Sequence, residues 1–585
     1  MALAATSEST KGLEKSTDEA QGRRSKIYSP MMPKHNIEYI SDEAQGRRSK
    51  IYSILCLGII GVLGLGVWYA FDHHIPTTDE SGHIMACMDY ANLYSHARPF
   101  NLSWWHKFLT VSSFYPPTFY VIGGFLKLVF SQGRVADVLA QIVFFNILTI
   151  STYKTARFCN LGRPGSIIAS LIVCLSPAIF VYGHYFLLDL PLAAAVAFGF
   201  AILLKWQSNI TVKTSILTGL AIGAACLTKQ LVACYLLPLG FLLVLDLAVK
   251  KGKNSLKLKY LAYTSMLVVS SVVTALPWAL LNYKSTLELA AYNRASMAQS
   301  TNVVQTSALQ NFTTYLSFLG FDCTPFLLIV AAICLFATRK IISKNLFFIM
   351  ASVIAGIGLI SLCSWCELFA RYTMCAAIPV GLIIGSGLEK YLKTPKSILK
   401  RITLASIFAV TMFQWLTANF CPYPLRMPSG LLKIYESIVF AEQITNRKFF
   451  NPELNKIADA DLVMDAIAKE DNDKFSWLNV MVNEAKLNAH TFELLVKERK
   501  TNLKATTSLQ WTISGDKVRF DAKECAYYKW YLFKTGNHGY KFFDKASETN
   551  YLDTFKYMYG SGLFVVHKEF KMAGGDTLIL FKQKD

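Results

Sequence analysis

Two adjacent carboxylates, Asp79 and Glu80, stand in the stretch "IPTTDESGHIMACMDY", with His83 close behind them. The stretch follows directly on an apolar run, Ile54 to Phe71, long enough to cross a bilayer. A third carboxylate, Asp189, lies in "YGHYFLLDLPLAA" near His184, a lysine, Lys229, in "LTKQLVACY", and Arg371 in "CELFARYTM". An ionisable side chain at a membrane boundary is costly unless it is hydrated or paired, so these residues are expected to line a polar cavity. A carboxylate beside a hydroxyl or amine acts as general base or orients the nucleophile. Lys and Arg hold a phosphate leaving group as its charge develops. Acids and cations sharing one cavity suit a negatively charged donor and an acceptor that must lose a proton.

Each residue also has a plainer reading. Asp79 and Glu80 could form a solvated loop, and Asp189, two residues before Pro191, could cap a helix. Lys229 could snorkel to the interface, and Arg371 could pair with Glu367 four residues earlier. His83 and His184 suit satisfied loop histidines as well as metal ligands.

The elements that must position these groups are membrane spans. Of 585 residues 53% are hydrophobic and only 17% charged, too apolar for a soluble protein. Apolar segments of spanning length fall at roughly 54–71, 136–153, 166–183, 190–206, 214–228, 230–248, 260–281, 316–337, 345–363, 372–388 and 402–421, about eleven in all. The segment "YPPTFYVIGGFLKLVF" (115–130) is short and opens on prolines, and is expected to lie as an amphipathic or re-entrant helix at the outer interface. Tyr115, Trp104 and Trp105 suit the headgroup layer there.

The formal charge of +20 does not indicate nucleic acid, because the excess lies in short loops such as "KKGKNSLKLKY" and "KYLKTPKSILKR" and no zinc-finger or RNA-binding pattern accompanies it. With these loops cytoplasmic, the N-terminus is inside and the candidate residues all fall outside. The thirteen cysteines lie mostly within apolar runs and suit free thiols; "LCSWCEL" (Cys363, Cys366) has no second pair to complete a metal site. Residues 1–53 read as a disordered cytoplasmic tail in which "DEAQGRRSKIYS" occurs twice, and no signal-peptide cleavage pattern follows. Its second copy places Arg47, Arg48 and Lys50 beside the first span, suited to anionic headgroups. Residues 54–421 form the membrane domain with a first outer loop over 72–135, and 422–585 a soluble α/β domain outside the membrane. In that domain "WLNVMVNEA", "SLQWTISG", "KWYLFKTG" and "GLFVVHKEF…TLILFK" read as strands, "HTFELLVKERK" as a helix, and "KMAGGD" as a hairpin turn.

The membrane domain resembles the type-C glycosyltransferases, especially the protein O-mannosyltransferases and the aminoarabinose transferases acting on lipid A. The resemblance rests on an ordered series over residues 54–390: "TTDESGHIMACMDY", "FYPPTFYVIGGFL", "SPAIFVYGHYFLLDLPLAAAVAF", "GLAIGAACLTKQLVACYLLP", "LPWALL" and "ARYTMCAAIPVGLIIG". It implies a polytopic α-helical membrane protein that moves a sugar, with inversion, from a polyprenyl-phosphate donor to a lipid, glycan or protein acceptor on the outer face of the plasma (inner) membrane. It implies that Asp79 is the main catalytic carboxylate with Glu80 in support, that Asp189 is the second acid, and that Lys229 lies near the donor phosphate. Arg371 joins Lys229 as a phosphate ligand, and His83, Tyr115 and His184 are candidates for substrate binding. Some relatives use a divalent cation, which no residue pattern here establishes. The aminoarabinose transferases carry an acidic–basic pair before the loop proline, where this chain has Tyr115 and Pro116. The rival reading from another class is a transporter or flippase of lipid-linked sugars, expected to show paired halves with interrupted helices and polar sites at the midplane.

Overall fold

The computed structural model describes residues 58–59, 61–70, 76–130, 133–250, 254–301, 307–363, 369–393, 398–420, 430, 433, 459–471, 474–484, 487–507, 520–536, 545–572 and 575–584. The duplicated tail, Cys366, Glu367, and the strand expected over 508–515 lie outside the described residues.

The apolar helix α1 (Gly61–Ala70) leads into a long first loop, which holds α2 (Thr78–Ser95), α3 (Leu102–Thr110) and α4 (Thr118–Val129). A capping box starts α2: Glu80 accepts from the Thr77 backbone N–H and hydroxyl, both at 2.9 Å. The twelve residues of α4 rise only about 18 Å, too short to cross a bilayer. Gly123 and Gly124 let α4 approach α2, because a Cβ on Gly124 would come within 2.5 Å of Tyr90. The loop is pinned from outside by Trp278 Nε1 and Asn282 Nδ2, which donate to Ser112 and Leu109 carbonyls, each at 2.9 Å.

The membrane helices follow: α5 (Arg134–Phe158), α6 (Arg163–Cys174), α7 (Pro177–His184), α8 (Asp189–Ser208), α9 (Val212–Cys226), α10 (Val232–Lys250) and α11 (Asn254–Thr301). After them come α12 (Ala308–Cys323), α13 (Pro325–Thr338), α14 (Lys344–Cys363), α15 (Ala377–Lys393) and α16 (Ile398–Phe420). By length and composition six described helices suffice to cross a membrane, or up to eight if each bent pair counts as one span. The expected spans over 166–183 and 316–337 are broken, bent by 52° between α6 and α7 and by 94° between α12 and α13. Pro177 and Pro325, each the first residue after its break, lack the N–H that would continue the preceding helix. The fifteen residues of α9 are short for a span, rising about 22 Å. Gly219 and Gly223 bring α9 onto α11, where Ser271 donates its hydroxyl to the Gly219 carbonyl at 2.9 Å.

The C-terminal domain contains α17 (Asp459–Asp471), β1 (Ser476–Val480), α18 (Ala489–Arg499), β2 (Leu503–Thr506), β3 (Trp530–Lys534), β4 (Phe564–Lys571) and β5 (Thr577–Gln583). Its five-stranded sheet has the order β2-β1-β3-β5-β4, parallel at β2-β1-β3 and antiparallel from β3 onward. Strands β4 and β5 pair as the expected hairpin, with Gly575 before β5 at φ +88°. Helix α18 packs on α2: Leu494 is buried in the same apolar core as the membrane helices, and Lys497 reaches Asp89 at 2.9 Å.

Candidate active site

Four chain segments distant in sequence end at one place. Asp79 lies in the first turn of α2, Asp189 begins α8, Lys229 occupies the turn between α9 and α10, and Arg371 sits on a 3₁₀ turn before α15. Lys229 Nζ donates to Asp189 Oδ1 at 2.7 Å, with both residues buried. Arg371 then spans the two acids, its guanidinium 3.7 Å from Asp189 Oδ2 and 3.7 Å from Asp79 Oδ2. Leu188 holds the N-cap position of α8, and the Asp189 carboxylate in the first turn meets the two cations. Lys229 does not snorkel; it is buried and lies 4.9 Å from the Tyr372 ring centroid.

The network is closed at one end and open at the other. The Asp189 side chain is 1% exposed and that of Asp79 60%. Burial would lower the Arg371 guanidinium, but Asp189, Tyr372 and Asp79 hold it above its ordinary range. Its Nε is buried with no hydrogen-bond partner among the described residues, which leaves a donor available to an anion. The carboxylates face side-chain cations, and among the described residues no three His, Cys, Asp or Glu side chains meet as a metal site. This donor set does not fit a divalent cation.

His83 and Tyr115 border the network, their rings 5.4 Å apart. His83 Nδ1 is 2.8 Å from the Tyr120 hydroxyl. Burial, partly opposed by Asp79, pushes the imidazole down to about 4, so the ring is neutral near pH 7. Burial raises the Tyr115 phenol. Glu80 faces elsewhere: besides its capping bonds, Oε1 accepts from the Phe186 backbone N–H at 2.9 Å, tying α2 to the turn before α8. His184 is buried in apolar packing, stacked on Trp68 at 3.6 Å and edge-on to Phe180 at 5.0 Å.

The sequence reading passed over Asp322. It is fully buried at the break between α12 and α13, where its Oδ2 lies 2.5 Å from the Thr373 hydroxyl, two residues after Arg371. An aspartate inside the apolar run "YLSFLGFDCTPFLLIV" was the available signal. Tyr235 adds a second hold on this turn, its hydroxyl donating to the Tyr372 carbonyl at 2.6 Å.

Residues 115–293 match the family described as dolichyl-phosphate-mannose-protein mannosyltransferase, a range that covers Asp189 and Lys229 but neither Asp79 nor Arg371. Among solved structures, the chain is similar to ArnT from Cupriavidus metallidurans bound to undecaprenyl phosphate. The two share 14% identity at a TM-score of 0.53, over 90% of this chain and 97% of that one. The chain has the type-C glycosyltransferase fold. The apo state of the same ArnT aligns at a TM-score of 0.51 and 12% identity over 92% and 98% of the two chains. The Archaeoglobus fulgidus oligosaccharyltransferase aligns more loosely, at 0.46 and 10% identity over 83% and 69%. No curated protein matches by sequence. The family match spans less than a third of the chain, and the structural likeness shows the fold. Helix α8 runs from Asp189 to Lys205 in its last turn, so this lysine lies at the far end of the helix from the site.

Proposed function

We propose that the protein transfers a sugar from a polyprenyl-phosphate donor to an acceptor on the outer face of the plasma membrane. The observation that carries this reading is the Asp79–Arg371–Asp189–Lys229 network, closed around its cations and open at Asp79. The acceptor O–H or N–H approaches Asp79, which takes its proton as the nucleophile attacks the anomeric carbon. The new bond to that carbon forms as the carbon–oxygen bond to phosphate breaks. The electron pair leaves with polyprenyl phosphate, whose charge Arg371 and Lys229 neutralise. Attack opposite the leaving group inverts the anomeric centre. Asp189 holds both cations in place, and neutral His83 with Tyr115 shapes the sugar seat.

Two further features support a lipid-linked donor. An apolar groove of about 730 Å³, lined by Leu237, Pro238, Phe241, Phe312 and Leu362 among others, starts on α10, the helix that follows Lys229. The similar ArnT structure carries undecaprenyl phosphate. The basic loops at the opposite helix ends support an outer-facing site. The test is to incubate purified protein with labelled polyprenyl-phosphate sugars and membrane extract. Consumption of one donor with label appearing in the extract is expected; failure to consume any across pentose and hexose donors would end the reading.

A transporter of lipid-linked sugars draws on the two helix breaks, which meet where Ser176 donates to the Asp322 carbonyl at 2.5 Å. Liposomes separate the two: translocation leaves the donor intact, whereas transfer releases polyprenyl phosphate.

A further inference from the structure

A second cavity, of about 800 Å³, lies on another side of α2 from the Asp79 network. Glu80, Ile84, Ala91 and Ser95 line it, and at 100° per residue this stripe is turned roughly a quarter of the helix away from Asp79 and His83. The far wall comes from the soluble domain, through Leu494 and Leu495 on α18. Its depth is charged: Lys127 is 1% exposed, Asp137 6% and Glu80 2%, with Lys127 Nζ 2.7 Å from Asp137 Oδ1. Its mouth is polar and open at Asn92, Ser95 and Lys500.

Charge in the lining is nearly balanced. Within it Glu80 bonds Thr77 and Phe186, Asp137 meets Lys127 and Asp461 meets Arg499, so Glu498 is the carboxylate that faces the chamber together with Arg134 and Lys500. Such a lining disfavours a head group of high net charge and suits one carrying both signs. Arg134 begins the membrane helix α5 and so marks a membrane–water boundary. Around it lies exposed apolar surface: Leu128 is 44% exposed, Val129 54%, Phe130 49% and Val135 62%. Leu128 also lines the cavity, so apolar surface and charged chamber are continuous.

We propose that this chamber is a second lipid site, separate from the Asp79 network, which takes the head group of a zwitterionic phospholipid. The lipid's ammonium faces Glu498, its phosphate faces Arg134 and Lys500, and its acyl chains run over Leu128, Val129 and Phe130. The bound lipid joins α18 to α2, and through α2 the soluble domain to the helix bearing Asp79. The site stands without the glycosyltransferase reading, because its test measures binding and not transfer.

The full chain is placed in phosphatidylglycerol nanodiscs containing a trace of phosphatidylethanolamine with a photoreactive group on one acyl chain. A matching phosphatidylglycerol probe is the comparison. Saturable labelling of residues 125–135, about tenfold above the comparison probe and competed by unlabelled phosphatidylethanolamine, is expected. Asn92→Trp, at the exposed mouth, should lower labelling by about fivefold with unchanged thermal unfolding, while Asn92→Gln should not. Equal labelling by both probes, or labelling that excess phosphatidylethanolamine does not compete, would overturn the proposal. So would full labelling of a folded Asn92→Trp. Should that variant not fold, the competition in the wild-type protein decides alone.

Discussion

Lys534, in the soluble domain, and Arg371, in the membrane domain, each stand between two carboxylates. Lys534 meets Glu484 and, at 2.9 Å, Asp576; its side chain is 4% exposed and those of its partners 28% and 29%. It joins β3 to the loop after β1 and to the β4–β5 turn, and every group is occupied. Arg371 is 3.7 Å from each of its acids, one of them 60% exposed, and keeps a free Nε donor. A cation between two carboxylates thus makes a structural clasp where contacts are short and closed, and a site for chemistry where they are long and open on one side.

Cutting the open network at its exposed end has the largest expected effect. Asp79→Asn should slow sugar transfer by about 10²–10⁴-fold, the range for losing a general base. Because Asp79 is largely exposed, insertion and thermal unfolding should not change. Wild-type transfer by this variant would remove Asp79 from the mechanism.

The next pair sharpens the contrast between clasp and site. Lys229→Met leaves the Asp189 carboxylate buried with only Arg371 nearby, at a cost of about 3–5 kcal/mol, and abolishes transfer as well. Lys534→Met leaves two part-exposed acids that water can reach, and should cost about 1–3 kcal/mol. Transfer per folded molecule should be unchanged in the second variant. Measured unfolding midpoints and kcat on the two proteins decide; a fall in kcat with Lys534→Met would make the clasp part of the machinery.

The sequence made Asp79, Asp189, Lys229 and Arg371 legible because charge inside or beside apolar sequence stands out locally. Their common location followed from counting sides, which needs only the positions of basic loops. It could not say that Arg371 bridges the acids, since that depends on a 3₁₀ turn held by Asp322 and Tyr235 from other helices. Glu80 read as a partner of Asp79, yet on a helix adjacent residues point 100° apart, and its oxygens bond Thr77 and Phe186. The count of eleven spans came from hydropathy windows, which run through the breaks at residues 175–176 and 324 and treat each bent pair as one straight helix. Strands of the soluble domain were readable from alternation and turns, but their order was not, because β3 pairs with β1 and β5 across long connections.

His83 gives a smaller effect with a defined pH window. Its folded value near 4 lies below the ordinary 6.5, so the unfolded chain binds the extra proton between those values. Stability from this group is complete above about pH 6.5 and is lost as pH falls toward 4, on the order of 3 kcal/mol. Thermal unfolding of wild type and His83→Gln across that range should show the wild type losing stability relative to the variant as pH falls. Parallel curves would mean that His83 takes up its proton as readily in the folded protein as in the unfolded chain.

The smallest effect concerns the ion pair between the two domains. Lys497 and Asp89 meet at 2.9 and 3.0 Å, but their side chains are 38% and 49% exposed. An exposed pair is worth about 0–1 kcal/mol and less in salt, so Lys497→Ala should barely move the unfolding midpoint. A double-mutant cycle with Asp89→Ala should give a coupling below about 1 kcal/mol. Docking would then rest on Leu494, which is buried among the membrane-domain side chains and insensitive to salt. A coupling above about 2 kcal/mol would place this pair with the closed clasp of Lys534, and would make α18 an electrostatic latch on the helix that carries Asp79.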